Sequence, residues 1–207
     1  MNIKFITAVF SLLLVSNSSA TTLNFGCITN NDVTNAACTI AESQITLDVE
    51  HLDRQALFTF SNTGSSDAFI ADIYFMYNTI DYLNFDSIIN HSGVSFSEGA
   101  KPKHLPAYHG APSFSVDADK NGSGKIGIDL DESLSILFNL DDDKFGDILN
   151  AIYTGNLVVG LHVQGIGTNN QFSESLVNTS VVPVPGAIWL FGSGLLALVG
   201  LTRYRRH

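Results

Sequence analysis

The chain has 207 residues, with 20 Asp or Glu against 10 Lys or Arg, for a net charge of −10 with neutral histidines. That sign, with an isoelectric point near 4.7, excludes a nucleic-acid-binding surface, because such binding is dominated by cations neutralising phosphates. The two cysteines are too few for a Cys-ligated metal and lack the Cys-x-x-Cys spacing of a redox centre.

Residues 1–20 have the form of a secretory signal peptide. Lys4 supplies the positive region, residues 5–15 an apolar core broken only by Thr7 and Ser11, and Ser18-Ser19-Ala20 a small-residue cleavage site ending at Ala20. An exported chain meets oxidising conditions, so Cys27 and Cys38 are expected to form one disulfide that ties down the N-terminal segment. Closing so short a loop stabilises a fold by about 2–3 kcal/mol in the chain-entropy model.

All 20 acids lie between Asp32 and Glu174, together with six bases, so the expected exported domain, residues 21–181, carries −14. Such a charge keeps a secreted protein soluble, repels anionic lipid and attracts divalent cations. The domain reads as successive strands. Ile45, Leu47 and Val49 alternate with polar residues, and residues 57–60 do so more loosely. After a turn at residues 62–66, residues 69–77 form a long β-rich run. Residues 83–89 and 94–97 are further strands, and residues 101–112, with three prolines, are a loop. Phe114 and Val116 alternate, as do Ile126, Ile128 and Leu130 after an Asn-Gly turn; residues 134–140, 157–166 and 173–181 complete the set. One segment breaks the pattern: Phe145, Ile148, Leu149 and Ile152 recur at helical spacing, behind Asp141, Asp142 and Asp143 as cap and dipole partners. The expected fold is all-β, an antiparallel β-sandwich of jelly-roll or Ig-like type with one short helix, flanked by an N-terminal signal helix and a C-terminal transmembrane helix.

The constellation with most chemical content is Asp117-x-Asp119-x-Asn121-Gly122. Oxygen ligands at alternate positions before a glycine fit the start of a calcium loop. The twelfth position is Ile128 rather than a bidentate glutamate, and a solvated hairpin turn joining Val116 to Ile126 reads equally from the same residues. His104 and His109 bracket the proline loop without an identifiable third zinc ligand. His162, inside an apolar strand, reads as a satisfied semi-buried histidine. Glu132-Ser133 and Ser173-Glu174-Ser175 offer hydroxyls and carboxylates but no nucleophile elbow, and no carboxylate pair stands out for glycoside cleavage. The only tryptophan, Trp189, lies outside the domain, leaving Tyr74, Tyr77, Tyr82 and Tyr108 as sugar-stacking groups.

Residues 182–207 are a second targeting segment. Val182-Pro183-Val184-Pro185 precede an apolar run over residues 187–201, about 22 Å long as a helix and short for a bilayer core of about 30 Å. Trp189 suits an interfacial anchor, and Arg203, Arg205 and Arg206 form a cytoplasmic basic stop. This order, with Trp189-Leu190-Phe191-Gly192-Ser193-Gly194-Leu195-Leu196 at its centre, resembles the PEP-CTERM sorting signals, in the variant form Val-Pro-Leu-Pro or Val-Pro-Val-Pro. Val184 stands where the best-known form has glutamate. The resemblance implies a membrane exosortase that recognises and removes the tail, an inner-membrane intermediate, and a final place on the cell surface or in the extracellular matrix linked to exopolysaccharide. From Phe114 to Val177 the chain is also similar to exported proteins with the same tail, through Asn121-Gly122-Ser123-Gly124-Lys125, Leu161-His162-Val163-Gln164-Gly165 and Ser173-Glu174-Ser175. The expected function is that of a non-enzymatic, exosortase-processed matrix protein without a cofactor. A calcium- or glycan-binding adhesion module is the alternative.

Overall fold

The computed structural model describes residues 20–77, 83–122, 124–141 and 144–179. The signal segment through residue 19, the Val182-Pro183-Val184-Pro185 motif, the apolar tail and its arginines lie outside the described residues. Among the described residues no helix is long and apolar enough to cross a membrane.

The described residues form twelve strands and two helices in the order β1 (Ala20–Cys27), α1 (Ala36–Gln44), β2 (Ile45–Leu52), β3 (Gln55–Asn62), β4 (Phe69–Tyr77), β5 (Leu83–Asn90), β6 (Phe96–Glu98), β7 (Phe114–Ala118), β8 (Lys120–Asn121), β9 (Gly124–Lys125), β10 (Glu132–Leu140), α2 (Phe145–Thr154), β11 (Leu157–Ile166) and β12 (Phe172–Asn178). Ten strands form one antiparallel sheet in the order β5-β10-β3-β2-β1-β12-β11-β4-β7-β6, and β8 and β9 form a separate hairpin. The sheet turns its corner at β1, where residues 20–24 pair with β2 while residues 25–27 pair with β12.

That corner lets the two halves face each other. Phe58 on β3 and Phe138 on β10 meet Phe75 on β4 with ring centroids 5.2 and 5.0 Å apart. These rings are fully buried, and each contributes about 1.5–3 kcal/mol through burial. The alternation of buried residues along β3 follows the period-2 pattern of a strand with one face in the core.

The two edge strands nearly meet, which brings the sheet close to closure. Phe85 of β5 stacks on Phe114 of β7 at 4.4 Å. Nearby, the Asn90 amide copies a backbone peptide: its Oδ1 accepts from the Phe96 N–H at 2.8 Å and its Nδ2 donates to the Phe96 carbonyl at 3.2 Å.

The structure corrects the sequence reading in two places. A second helix, α1, occupies residues read as a tethered N-terminal segment and the start of the strands. Asp32 explains it, because its carboxylate accepts from the N–H groups of Ala36 and Ala37 and satisfies donors of the first turn. The disulfide between Cys27 and Cys38, with a Cα–Cα distance of 5.9 Å, fastens this helix to the end of β1. Second, residues 126–130 form no strand and make only the single bridge Ile70–Ile128. Gly127 is pressed so closely on β4 that an added Cβ would stand 2.4 Å from the Ile70 carbonyl oxygen. Helix α2 starts behind Lys144, which gives no side-chain cap, with Asp147 as the acid in its first turn; Asp142 and Asp143, read as part of its cap, lie outside the described residues.

Candidate functional site

Strands β7, β4 and β11 are neighbours, and their inner faces carry Val116, Ile73 and Leu161 into the core. The opposite face is where the chemistry collects. Register puts Asp117 directly across from Asp72, and Asp72 directly across from His162. Two carboxylates opposed on adjacent strands repel, and Asp72 is fully buried.

Lys125 resolves the conflict. From the β8–β9 hairpin its ammonium reaches Asp72 Oδ1 at 3.0 Å and Asp117 Oδ1 at 2.5 Å, with only 14% of its side chain exposed. On the other flank His162 Nδ1 lies 2.9 Å from Asp72 Oδ2. An ionised carboxylate only accepts, so Nδ1 carries the proton in this pair. Gln164 Nε2 lies 3.2 Å from the same nitrogen.

The network sorts the acidities of its members. Burial pushes the Asp72 carboxyl up, but hydrogen bonds from His162, Asp117 and Lys125 outweigh it and hold the group below its ordinary value. Asp117 goes the other way: burial, reinforced by the hydrogen bond and negative charge of Asp72, raises it despite Lys125. Burial alone would lower the Lys125 ammonium, yet its bonds to Asp117 and Asp72 raise it above the ordinary lysine value. A proton entering this pair of acids therefore goes to Asp117. The nearby Tyr74 hydroxyl is raised by burial and by the charges of Asp72 and Asp117, and it donates to the Pro102 carbonyl at 2.8 Å.

The three oxygens of the calcium reading have separate surroundings. Asp117 holds Lys125. Asp119 accepts from the Ser95 and Ser97 hydroxyls, both at 2.7 Å, and these bonds keep its carboxyl below the ordinary value. Asn121 is exposed on β8. Asp129, further along the same stretch, lines a 300 Å³ cavity with Asp67. Burial and Glu132 raise its carboxyl. Among the described His, Cys, Asp and Glu side chains, Cys27, Cys38 and Glu174 form the one group of three close enough to share an ion, and the two sulfurs are bonded to each other. Glu174 is itself engaged, accepting from the Thr29 hydroxyl at 2.5 Å and the Asn31 N–H at 2.7 Å.

Sequence reasoning placed His162 in a satisfied, semi-buried setting but missed its partners. A detectable signal was present: Asp72 is the only charged residue in the β4 run FIADIYFMY, where a carboxylate requires a cation nearby. Compared with family models, with curated proteins and with solved structures, the chain matches none.

Proposed function

We propose that the chain is an exported, non-enzymatic component of the cell surface or extracellular matrix, delivered by its N-terminal leader and processed by a membrane exosortase. The observation that carries this reading is the order of residues 182–207: Val182-Pro183-Val184-Pro185, an apolar run holding Trp189, and Arg203, Arg205 and Arg206. The basic end holds the tail at the cytoplasmic face, and the prolines stop the apolar helix from growing backwards into the body. The Cys27–Cys38 disulfide supports it, since such bonds persist in oxidising compartments. In this reading the facing halves of the sheet make a jelly-roll or Ig-like sandwich with β1 shared between them. Exopolysaccharide is its partner outside the cell, and the inner membrane holds it only before processing.

Non-enzymatic action is favoured by the way Asp72, Asp117, Lys125 and His162 satisfy one another. The same pairing favours a metal-free body over the calcium alternative, because an ammonium already lies against Asp117. The test compares mass and location of the protein in cells with and without the exosortase. Loss of the tail in the exosortase-positive strain, with no free thiol on the mature protein, is the expected outcome. An intact tail on matrix-derived protein from that strain refutes the reading.

A further inference from the structure

The segment between Glu98 and Asp117 is free of acids in a chain that is otherwise strongly acidic, and it carries Lys101, Lys103, His104 and His109. Residues 99–113 form a long connection without regular structure, a kind of segment that in compact domains is either disordered or functional. This one is held in place. The Gly99 N–H donates to the Ser115 carbonyl at 2.8 Å, the Ala100 N–H to Ser115 Oγ at 3.1 Å, and the Ser113 N–H to the Phe75 carbonyl at 2.8 Å. Tyr74 holds the Pro102 carbonyl, and Leu105 is buried against β11, where Gly160 makes room: an added Cβ would stand 2.5 Å from Leu105 Cδ2.

Between these anchors lies a cleft of about 570 Å³ whose lining includes Lys101, Lys103 and His104, the apolar Ala111 and Pro112, and a single carboxylate, Glu98. Among the described residues neither lysine has an ion-pair partner, a condition they share with the exposed Lys120, whereas Lys125 and Lys144 are both paired. Lys101 and Lys103 bring two exposed ammonium groups to the cleft against the one carboxylate of Glu98, leaving a net positive lining that suits an oxyanion. The volume is far beyond what an inorganic anion fills, since a water takes about 30 Å³, and it falls within the range of small-organic-molecule sites. Ala111 and Pro112 offer apolar surface to the C–H face of a ring, while Ser115 and His104 offer polar groups to its hydroxyls.

We propose that this cleft binds a carboxylated sugar unit, a hexuronate, with Lys101 and Lys103 on the carboxylate. The site stands independently of how the chain leaves the cell.

The test is calorimetric titration of the full-length chain, in a non-ionic detergent, with sodium glucuronate and digalacturonate, against glucose and inorganic phosphate. Saturable binding of the uronates without a glucose response is expected. The Lys101→Ala/Lys103→Ala variant should bind at least about tenfold more weakly, while Lys101→Arg/Lys103→Arg and Lys120→Ala stay within about threefold of the parent. Both lysines are exposed, so thermal unfolding of the variants should match the parent. Absence of uronate binding, an equal response to glucose, phosphate binding as tight as uronate binding, or indifference to the double alanine variant each overturns the proposal.

Discussion

Replacing Lys125 by methionine keeps an unbranched side chain one atom shorter and removes its charge. Two carboxylates then stand opposite each other on β4 and β7, one of them fully buried, with His162 as the nearest remaining partner. Breaking a buried pair by removing one member costs about 3–5 kcal/mol, because the surviving charge is left without compensation. For a domain of this size each kcal/mol moves the midpoint by about 2–4 °C, so thermal unfolding should fall by about 6–20 °C. The cost depends on pH in a defined direction. Asp117 already holds its proton more tightly in the folded state than an ordinary aspartate does, and loss of the ammonium strengthens that hold. Acidification from about pH 7 to about pH 5 therefore protonates the folded variant before the unfolded one, and the deficit relative to the parent shrinks. Adding Asp117→Asn to the methionine variant should recover part of the loss, with a coupling energy of about 1–3 kcal/mol in a double-mutant cycle. The assay is urea unfolding at both pH values. A deficit below about 1 kcal/mol at neutral pH, or one that does not diminish on acidification, refutes the argument that Lys125 compensates two opposed charges.

Asn90→Ala removes both bonds to Phe96 and should cost about 1 kcal/mol, with faster amide hydrogen exchange at Phe96 than at core strands; unchanged protection at Phe96 would contradict the bridging role. The parent protein should also show a stability maximum on the acid side of neutrality. Asp117 and Asp129, both raised, bind protons more readily when folded, so stability grows as pH falls towards the ordinary aspartate value of 3.8. Below that value the lowered groups Asp32, Asp72 and Asp119 reverse the slope, since their contribution is lost as pH falls through their folded values. At the alkaline end the contribution of Lys125 is complete below 10.5 and disappears as pH rises through its raised folded value. Unfolding midpoints across pH test this, and stability still rising below the ordinary carboxylate range would contradict it.

Much of the sheet was legible because long apolar runs leave little choice. Residues 69–77 and 157–166, read as strands from β-branched and aromatic content, are β4 and β11 with those bounds. The helical spacing of Phe145, Ile148 and Ile152 likewise corresponds to α2. Helix α1 was hidden because Thr39 and Ile40 are β-branched and its cap is a carboxylate several residues upstream. Periodicity carries no record of such a contact. The charged network was illegible for a related reason: Lys125 lies 53 residues from Asp72, and His162 lies 90. Those distances in sequence vanish only once β4, β7 and β11 are neighbours. The cleft was half visible, since the proline-rich loop and its lysines could be read, but its anchors on Tyr74 and Gly160 could not.

The placement of β1 dictates when the molecule can be finished. Its second half pairs with β12, Phe25 opposite Asn178, so the first of the described strands to be synthesised waits for the last of them. Ring closure over most of the chain is entropically slow. A nascent polypeptide of this design stays unfinished until residue 178 has emerged. Its first strand then fills a central slot between β2 and β12 rather than being added at a rim. Shortening the start of the body by a few residues would therefore leave a gap between two strands in the middle of the sheet, an injury that no other described strand is positioned to repair.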